Sequence, residues 1–381
     1  MNRRSDPWLV LAVALLCILG LVMVYSASAV VAEEEAGSQF YFLTRQIIAA
    51  TVGLAACVAT ALTPMSLLRR WRNVLYGATV AMLIMVFIPG IQHRANGASR
   101  WIGLGAFHFQ PSAPAKIVVL ALLADYLDRY RNHLHELRVL ARAALIPVPV
   151  IVLVVFEPDF GTTAIVTGLS LLMAFLAGVR WRHMLIGGGT ILAASIPVLM
   201  HEQYRIRRLM SFRDPWAVEQ GDGYHVIQSW IAMHSGGMWG QGLGNSLSKL
   251  RFLPEPWTDF VGSVMAEELG LVAMVGLICL YGVVVWRGLT IARHAKDAYG
   301  ALLAATLTGM IGLEAAFNLG VITGLLPPKG LVLPFISYGA TQLMAHLWAV
   351  GILLSIAAES HAAPTATWSS EAASERNQVL A

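Results

Sequence analysis

The chain has 381 residues, 57% of them hydrophobic and 13% charged, with a net charge of +4, and its mean hydropathy is +0.65. A soluble domain of this length needs far more charge on its water-facing surface, so the composition excludes one and points to a bilayer as solvent. The small positive balance is absorbed by membrane orientation, and no nucleic-acid partner is expected from it.

Apolar runs long enough to cross about 30 Å of hydrocarbon recur along nearly the whole chain, without period-2 alternation. The predicted fold class is therefore all-α, a polytopic ten-span transmembrane helical bundle and not a barrel. Spans are predicted at 8–30, 44–63, 74–90, 110–128, 139–157, 161–178, 183–200, 259–286, 299–322 and 339–358. Ala27-Ser28-Ala29 imitates a signal-peptidase site, yet its apolar run is long and more spans follow, so it is read as an uncleaved first span. Together these make one membrane domain over 1–360, and the Ala-, Ser-, Thr- and Glu-rich tail at 361–381 is expected to be disordered in the cytoplasm. With the N-terminus inside, the inner loops collect Arg3, Arg4, Arg69, Arg70, Arg72, Arg129, Arg131, Arg138, Arg142, Arg180, Arg182, Arg287, Arg293 and Lys296. Counted over the short loops, only Arg45, Arg94, Arg100, Lys116 and Lys329 fall outside, so both termini are predicted to be cytoplasmic. The one long loop, about 201–258, is then extracytoplasmic.

Polar groups at membrane depth are costly, and they gather in four clusters on that outer side. The first joins Asn96 to Trp101 with Gln110-Pro111-Ser112 and Lys116; it reads as an interfacial loop anchored by Trp101. In the second, Glu157 to Thr162, Pro158 and Gly161 make a turn and Asp159 suits the cap of the next helix. The third runs from Tyr204 to Gly270. It holds a short amphipathic helix from Gly223 to Ser235, then Gly240 to Ser246, where Gly-rich backbone amides suit a phosphate but a flexible connector fits the pattern better. Lys249, Glu255, Thr258 and Asp259 follow; Thr258 is predicted to cap the eighth span and to place an ionised Asp259 in its first turn. Asp259 has two readings, a helix-start carboxylate and a catalytic one. Ser263 and Glu267 repeat it at four-residue steps, predicting a polar stripe down one helix face. The fourth cluster, Leu325 to Gly339, is proline-rich and is expected to dip back into the protein, below Glu314 and Asn318 of the ninth span. Neither the eleven histidines nor Cys17, Cys57 and Cys279 show metal-ligand spacing.

In order along the chain, Tyr25-Ser26-Ala27-Ser28, Pro158-Asp159-Phe160-Gly161-Thr162, Gly221-Asp222-Gly223-Tyr224, Gly242-Leu243-Gly244-Asn245-Ser246, Leu253-Pro254-Glu255, Thr258-Asp259-Phe260 and Lys329-Gly330 to Tyr338-Gly339 resemble the SEDS family of shape, elongation, division and sporulation proteins. The resemblance spans nearly the whole chain and is nearer to the division-type members, FtsW, than to the elongation type, with the sporulation type similar enough to stay open. It implies an inverting peptidoglycan glycosyltransferase of the bacterial inner membrane. Such an enzyme polymerises lipid II onto an undecaprenyl-pyrophosphate-linked glycan on the outer face, at the division septum. It also implies a class B penicillin-binding protein, an FtsI-like transpeptidase, as partner, with other divisome proteins. On that resemblance Asp259 is the general base, and Arg100, Lys116, Lys249 and Lys329 hold the pyrophosphate. Asp159, Ser246, Glu255, Thr258, Ser337 and Tyr338 complete the expected substrate site. No cofactor is required by this scheme and no dedicated metal site is predicted, although a divalent cation, Mg or Mn, is compatible with assistance at the pyrophosphate. The chain departs from the family pattern at His108 (commonly Arg), Ala113 (commonly Glu after Pro-Ser), Trp257 (His), Pro328 (Thr) and Ala340-Thr341 (Gly-Ser). Two rival readings are a lipid II flippase, which needs broken helices with polar residues reaching both faces, and a non-catalytic scaffold that activates the penicillin-binding protein. The one-sided clusters count against the first.

Overall fold

The computed structural model describes residues 6–90, 92–95, 98–104, 107–200, 215–218, 223–250, 252–253, 255–327 and 330–362. Pro328, Lys329, most of the predicted tail and much of the loop at 201–258 lie outside the described residues.

Every predicted span is helical. In chain order the helices are α1 (Pro7–Ala36), α2 (Tyr41–Leu62), α3 (Met65–Met85), α4 (Ser112–Arg129), α5 (Leu137–Ala144), α6 (Pro147–Phe156), α7 (Phe160–Leu176), α8 (Trp181–Met200), α9 (Tyr224–Gly236), α10 (Val261–Arg293), α11 (Ala298–Ile322) and α12 (Ala340–Ala362). Among the described residues, α1, α2, the α5–α6 pair, α10, α11 and α12 are long and apolar enough to cross a membrane by themselves. The fifth predicted span is divided before Pro147, which has no amide hydrogen to donate and so opens α6 at its first turn. The third begins earlier than expected, at Met65, and carries Arg69, Arg70 and Arg72 inside the helix.

The central helices are α11 and α12, 61% and 72% buried over their apolar windows, whereas α2 is 22% buried and faces outward. In lipid, helices associate through close packing of small residues. Here α12 lies along α2 with Gly351 against the backbone of Cys57 and Gly53 against Leu347 and Met344. At one end of the bundle Asp125 of α4, almost fully buried, accepts a hydrogen bond from Arg69 (2.5 Å) and forms ion pairs with Arg72 (2.7 Å) and Arg129 (2.8 Å). This ties α3 to α4.

Two features were not expected. The segment between α3 and α4 is a three-stranded antiparallel sheet, β1 (Gln92–Ala95), β2 (Ala98–Leu104) and β3 (Phe107–Phe109), where an interfacial loop was predicted. And α10 is broken at Gly270, whose φ of 75° and ψ of −176° no L-residue adopts without strain. The break strands helical carbonyls and amides. The Gly-rich loop after α9 supplies them with partners: Gln241 and Gly242 donate to the carbonyls of Glu267 and Glu268, while Leu271 and Val272 donate to those of Gly237 and Met238. Gly236 makes this approach possible, since a Cβ there would stand 2.0 Å from the Ala266 carbonyl oxygen.

Candidate active site

The segment 330–339 turns back among the helices, as its prolines suggested. Leu331, Leu333, Pro334, Phe335, Ile336 and Ser337 are buried, and the Tyr281 hydroxyl donates to the Pro334 carbonyl at 2.5 Å. Between this segment, the sheet, the stretch before α10, and helices α2, α4, α7, α11 and α12 lies a polar cavity of about 440 Å³. Arg45, Arg100 and Lys116 line it together with Asp159, Glu255, Asp259 and Glu314.

Asp259 does not sit in the first turn of its helix. The helix starts at Val261, Phe260 is the residue before it, and the cap makes no side-chain hydrogen bond. Thr258 is therefore not the predicted cap; its hydroxyl donates to the Glu255 carbonyl at 3.0 Å and to Glu255 Oε2 at 3.3 Å. The tight turn so formed holds Glu255 at φ 45°, in the left-handed region where a Cβ is strained. Asn318 of α11 fixes the next stretch, donating through Nδ2 to the carbonyls of Asp259 (2.9 Å) and Leu331 (2.7 Å). Asp259 is thus clamped through its backbone with its carboxylate on the cavity wall, 3.2 Å from where a Cβ on Gly330 would stand.

Arg100, from β2, donates to the carbonyls of Glu157 (3.1 Å) and Pro158 (2.7 Å). Asp159 caps α7, accepting from the Thr162 amide (3.1 Å) and hydroxyl (2.8 Å), and still faces the cavity. Beside it Glu157 is fully buried and neither carboxyl oxygen has a hydrogen-bond partner. Burial, then the neighbouring Asp159, push its carboxyl up to about 8, against the pull of Arg100. Lys116, nearly fully buried in α4, meets Glu314 at 2.5 Å and Gln342 at 3.1 Å. Phe42, Trp257 and Tyr338 form an aromatic wall with 5.0 Å between ring centres, Phe42 stacked on Trp257 and edge-on to Tyr338. Burial pushes the Tyr338 phenol up, and Arg45 opposes that.

The family profile with the description "Cell cycle protein", spanning FtsW, RodA and SpoVE, matches residues 7–362. This chain belongs to the FtsW/RodA/SpoVE family. It is 37% identical over 358 residues to the stage V sporulation protein E of Bacillus subtilis, covering 93% of this chain and 98% of the relative. It is 40% identical over 362 residues to a probable peptidoglycan glycosyltransferase FtsW of Halothiobacillus neapolitanus, covering 93% and 86%. Among solved structures it resembles a chain from a study of the coordination of polymerization and crosslinking by a peptidoglycan synthase complex, with a TM-score of 0.76, 29% identity and coverage of 94% and 98%. Rod shape determining protein RodA of Thermus thermophilus gives 0.68, 29%, and 93% and 96%. It is a multi-pass membrane protein, as its helices and these relatives agree.

Of the residues predicted for a family-type site, Asp259, Arg100, Lys116, Asp159, Glu255, Thr258 and Tyr338 meet in the one cavity. Lys329 lies outside the described residues. Three others are elsewhere, and this corrects the expectation. Lys249 pairs with Glu268 at 3.0 Å and donates to the Gly244 carbonyl at 2.6 Å. Ser246 donates to Glu267 at 2.5 Å, and the Ser337 hydroxyl accepts from the Leu333 amide at 2.8 Å. Lys249 and Ser246 belong to a closed cluster with Ser26, which donates to Glu268. The polar stripe down α10 dissolves for the same reason: Ser263 pairs with Ser229 at 2.6 Å, and Glu267 serves the Ser246 loop. The predicted site set left out several residues that line the cavity, among them Phe42, Arg45, Trp257, Glu314 and Gln342; Arg45 was visible only as an outer-side base. Asp159, Glu255 and Asp259 all line the cavity, yet among the described residues no three His, Cys, Asp or Glu side chains converge as metal ligands would.

Proposed function

We propose that this protein is a peptidoglycan glycosyltransferase that polymerises lipid II during septal wall synthesis, with the cavity as its active site. In this reading ten helices span the inner membrane, both termini are cytoplasmic, and the cavity opens on the outer face. The observation that carries it is the meeting of one backbone-clamped carboxylate, Asp259, with Arg45, Arg100 and Lys116 in one polar cavity. A sugar transfer from a lipid pyrophosphate needs that pairing. The acceptor hydroxyl oxygen attacks the anomeric carbon as its proton passes to Asp259; the bond to pyrophosphate breaks, and its electron pair leaves with the phosphate oxygen beside the cations. Attack opposite the leaving group inverts an α-linked donor into a β-linked glycan. Arg100 is suited to the anion because backbone dipoles orient it without neutralising its charge. The aromatic wall of Phe42, Trp257 and Tyr338 gives a sugar ring a flat surface. No cofactor is required by the scheme, and a divalent cation such as Mg or Mn would arrive with the pyrophosphate. The partner that fits is a class B penicillin-binding protein, in keeping with the polymerization and crosslinking of the similar synthase complex.

The test is polymerisation of purified lipid II, with and without that partner, by wild type and by Asp259→Asn. General-base loss should cost about 10²–10⁴-fold. Glycan from the Asn variant at the wild-type rate refutes the assignment; headgroup translocation without glycan selects a flippase; neither activity in either protein leaves a scaffold.

A further inference from the structure

The cation at the back of the cavity has an unusual supporter. Lys116 is 3% exposed and Glu314, on a different helix, is 1% exposed; they meet at 2.5 Å. The second oxygen of Glu314 is taken by His346 Nε2 at 2.6 Å, so α4, α11 and α12 converge on one carboxylate. Gln342 Oε1 accepts from the same ammonium at 3.1 Å, and reaches Gln110 Oε1 through its own amide at 3.3 Å. His346 Nδ1 is buried without a partner, so the neutral tautomer with its hydrogen on Nε2 leaves no N–H unsatisfied. The network then holds one positive and one negative charge, the condition under which a buried pair is tolerated.

Ala113 stands three residues before Lys116. Both residues lie on α4, and at that spacing a side chain at 113 shares the face of Lys116. Ala113 offers no charge. We propose that Glu314 is a positioning residue that, from across the bundle and with His346, fixes the Lys116 ammonium toward a pyrophosphate in the cavity. Two of the three ammonium hydrogens are engaged by Glu314 and Gln342, which leaves the third for a phosphate oxygen on the cavity side. Without Glu314 the buried Lys116 ammonium has no carboxylate at contact and is no longer held in this direction.

This inference rests on the glycosyltransferase reading, and the experiment separates the two. Wild type, Glu314→Gln, Ala113→Glu/Glu314→Gln and Glu314→Asp are purified in detergent with their penicillin-binding partner. Turnover of lipid II is measured beside binding of undecaprenyl pyrophosphate, followed by its shift of the melting temperature. Glu314→Gln should lose about 10²-fold in kcat, the scale of a misplaced catalytic-site group, and should bind the pyrophosphate more weakly. The double variant should recover at least tenfold of the lost rate and the lost binding, because it returns a carboxylate to Lys116 from its own helix. A merely structural Glu314 predicts that Ala113→Glu restores neither. If the double variant does not fold, Glu314→Asp decides: it should keep more turnover and binding than Glu314→Gln, and equality of the two overturns the proposal. Wild type that binds the pyrophosphate and makes no glycan removes the polymerase reading alone. Turnover and binding unchanged in Glu314→Gln remove this inference alone.

Discussion

Replacing Glu157 by Gln should make the protein more stable as the pH rises. The carboxyl is fully buried, neither oxygen is hydrogen-bonded, and its folded-state value stands at about 8 against an ordinary 4.5. Between those values the folded chain keeps a proton that the unfolded chain releases, so raising the pH favours unfolding; the penalty begins above 4.5 and is complete above 8. Each tenfold difference in proton affinity is worth about 1.4 kcal/mol. The penalty is thus below about 1 kcal/mol at pH 5, roughly 3 kcal/mol at pH 7, and stops growing near 5 kcal/mol beyond pH 8. The Gln variant removes this slope, and whatever its own buried amide costs is the same at every pH. The assay is thermal unfolding in detergent at pH 5, 6, 7, 8 and 9. The melting temperature of the variant minus that of wild type should climb steadily to pH 8 and then level off. A difference independent of pH would falsify the buried-carboxyl argument, and one that falls with pH would reverse its sign.

Two further outcomes follow from the packing. Gly270→Ala puts a Cβ 2.4 Å from the Gly240 amide nitrogen and 2.5 Å from the Met238 carbonyl, at a backbone conformation reserved for glycine; a loss of about 3 kcal/mol or more is expected, read as a lower melting temperature and protease cleavage in the loop after α9. Asp125→Asn removes the charge shared by Arg69, Arg72 and Arg129. Since Arg69 and Arg129 are partly exposed and reach water on their own, the loss should be about 1–3 kcal/mol, smaller at high salt, and a salt-independent loss would show that packing and not charge is at stake.

What could be read from the residues divides along the range of the interactions. Apolar runs report directly on solvent, and each predicted span is a helix. The Asp159 cap and the dip at 330–339 were likewise legible, since both depend on neighbours within a few positions. The break at Gly270 was not, because one glycine in an apolar run reads as a tolerated residue until the loop that rescues its stranded carbonyls is placed beside it. The sheet at 92–109 hid for a different reason: its strands are short and carry Gln92, His93, Arg94, Arg100 and His108, so hydrophobic alternation had nothing to work with. Around the cavity, resemblance brought out Arg100, Lys116, Asp159 and Asp259. It also brought out Lys249 and Ser246, which the fold spends on a closed cluster. Glu314, Gln342 and His346 join Lys116 across 198 residues and more, a distance over which no spacing rule operates.

The way the fold distributes charge argues for where chemistry takes place. Lys249 and Glu268 neutralise each other with Ser26 and Ser246 filling their remaining positions, and Asp6 accepts from Nε and Nη2 of Arg287 on α10. Such groups are already satisfied, and a ligand gains little by approaching them. Arg100 differs. Its guanidinium is held by carbonyl oxygens, which set its direction and leave its full charge for a third party. Lys116 is neutralised, but by a carboxylate that also serves His346, so a phosphate oxygen entering the cavity meets an oriented donor. One cation offers net charge and the other offers direction, both beside a carboxylate held through its backbone. Charge that develops on a departing pyrophosphate is stabilised most by groups that need not move when it appears, and it is in this cavity that the bundle keeps them.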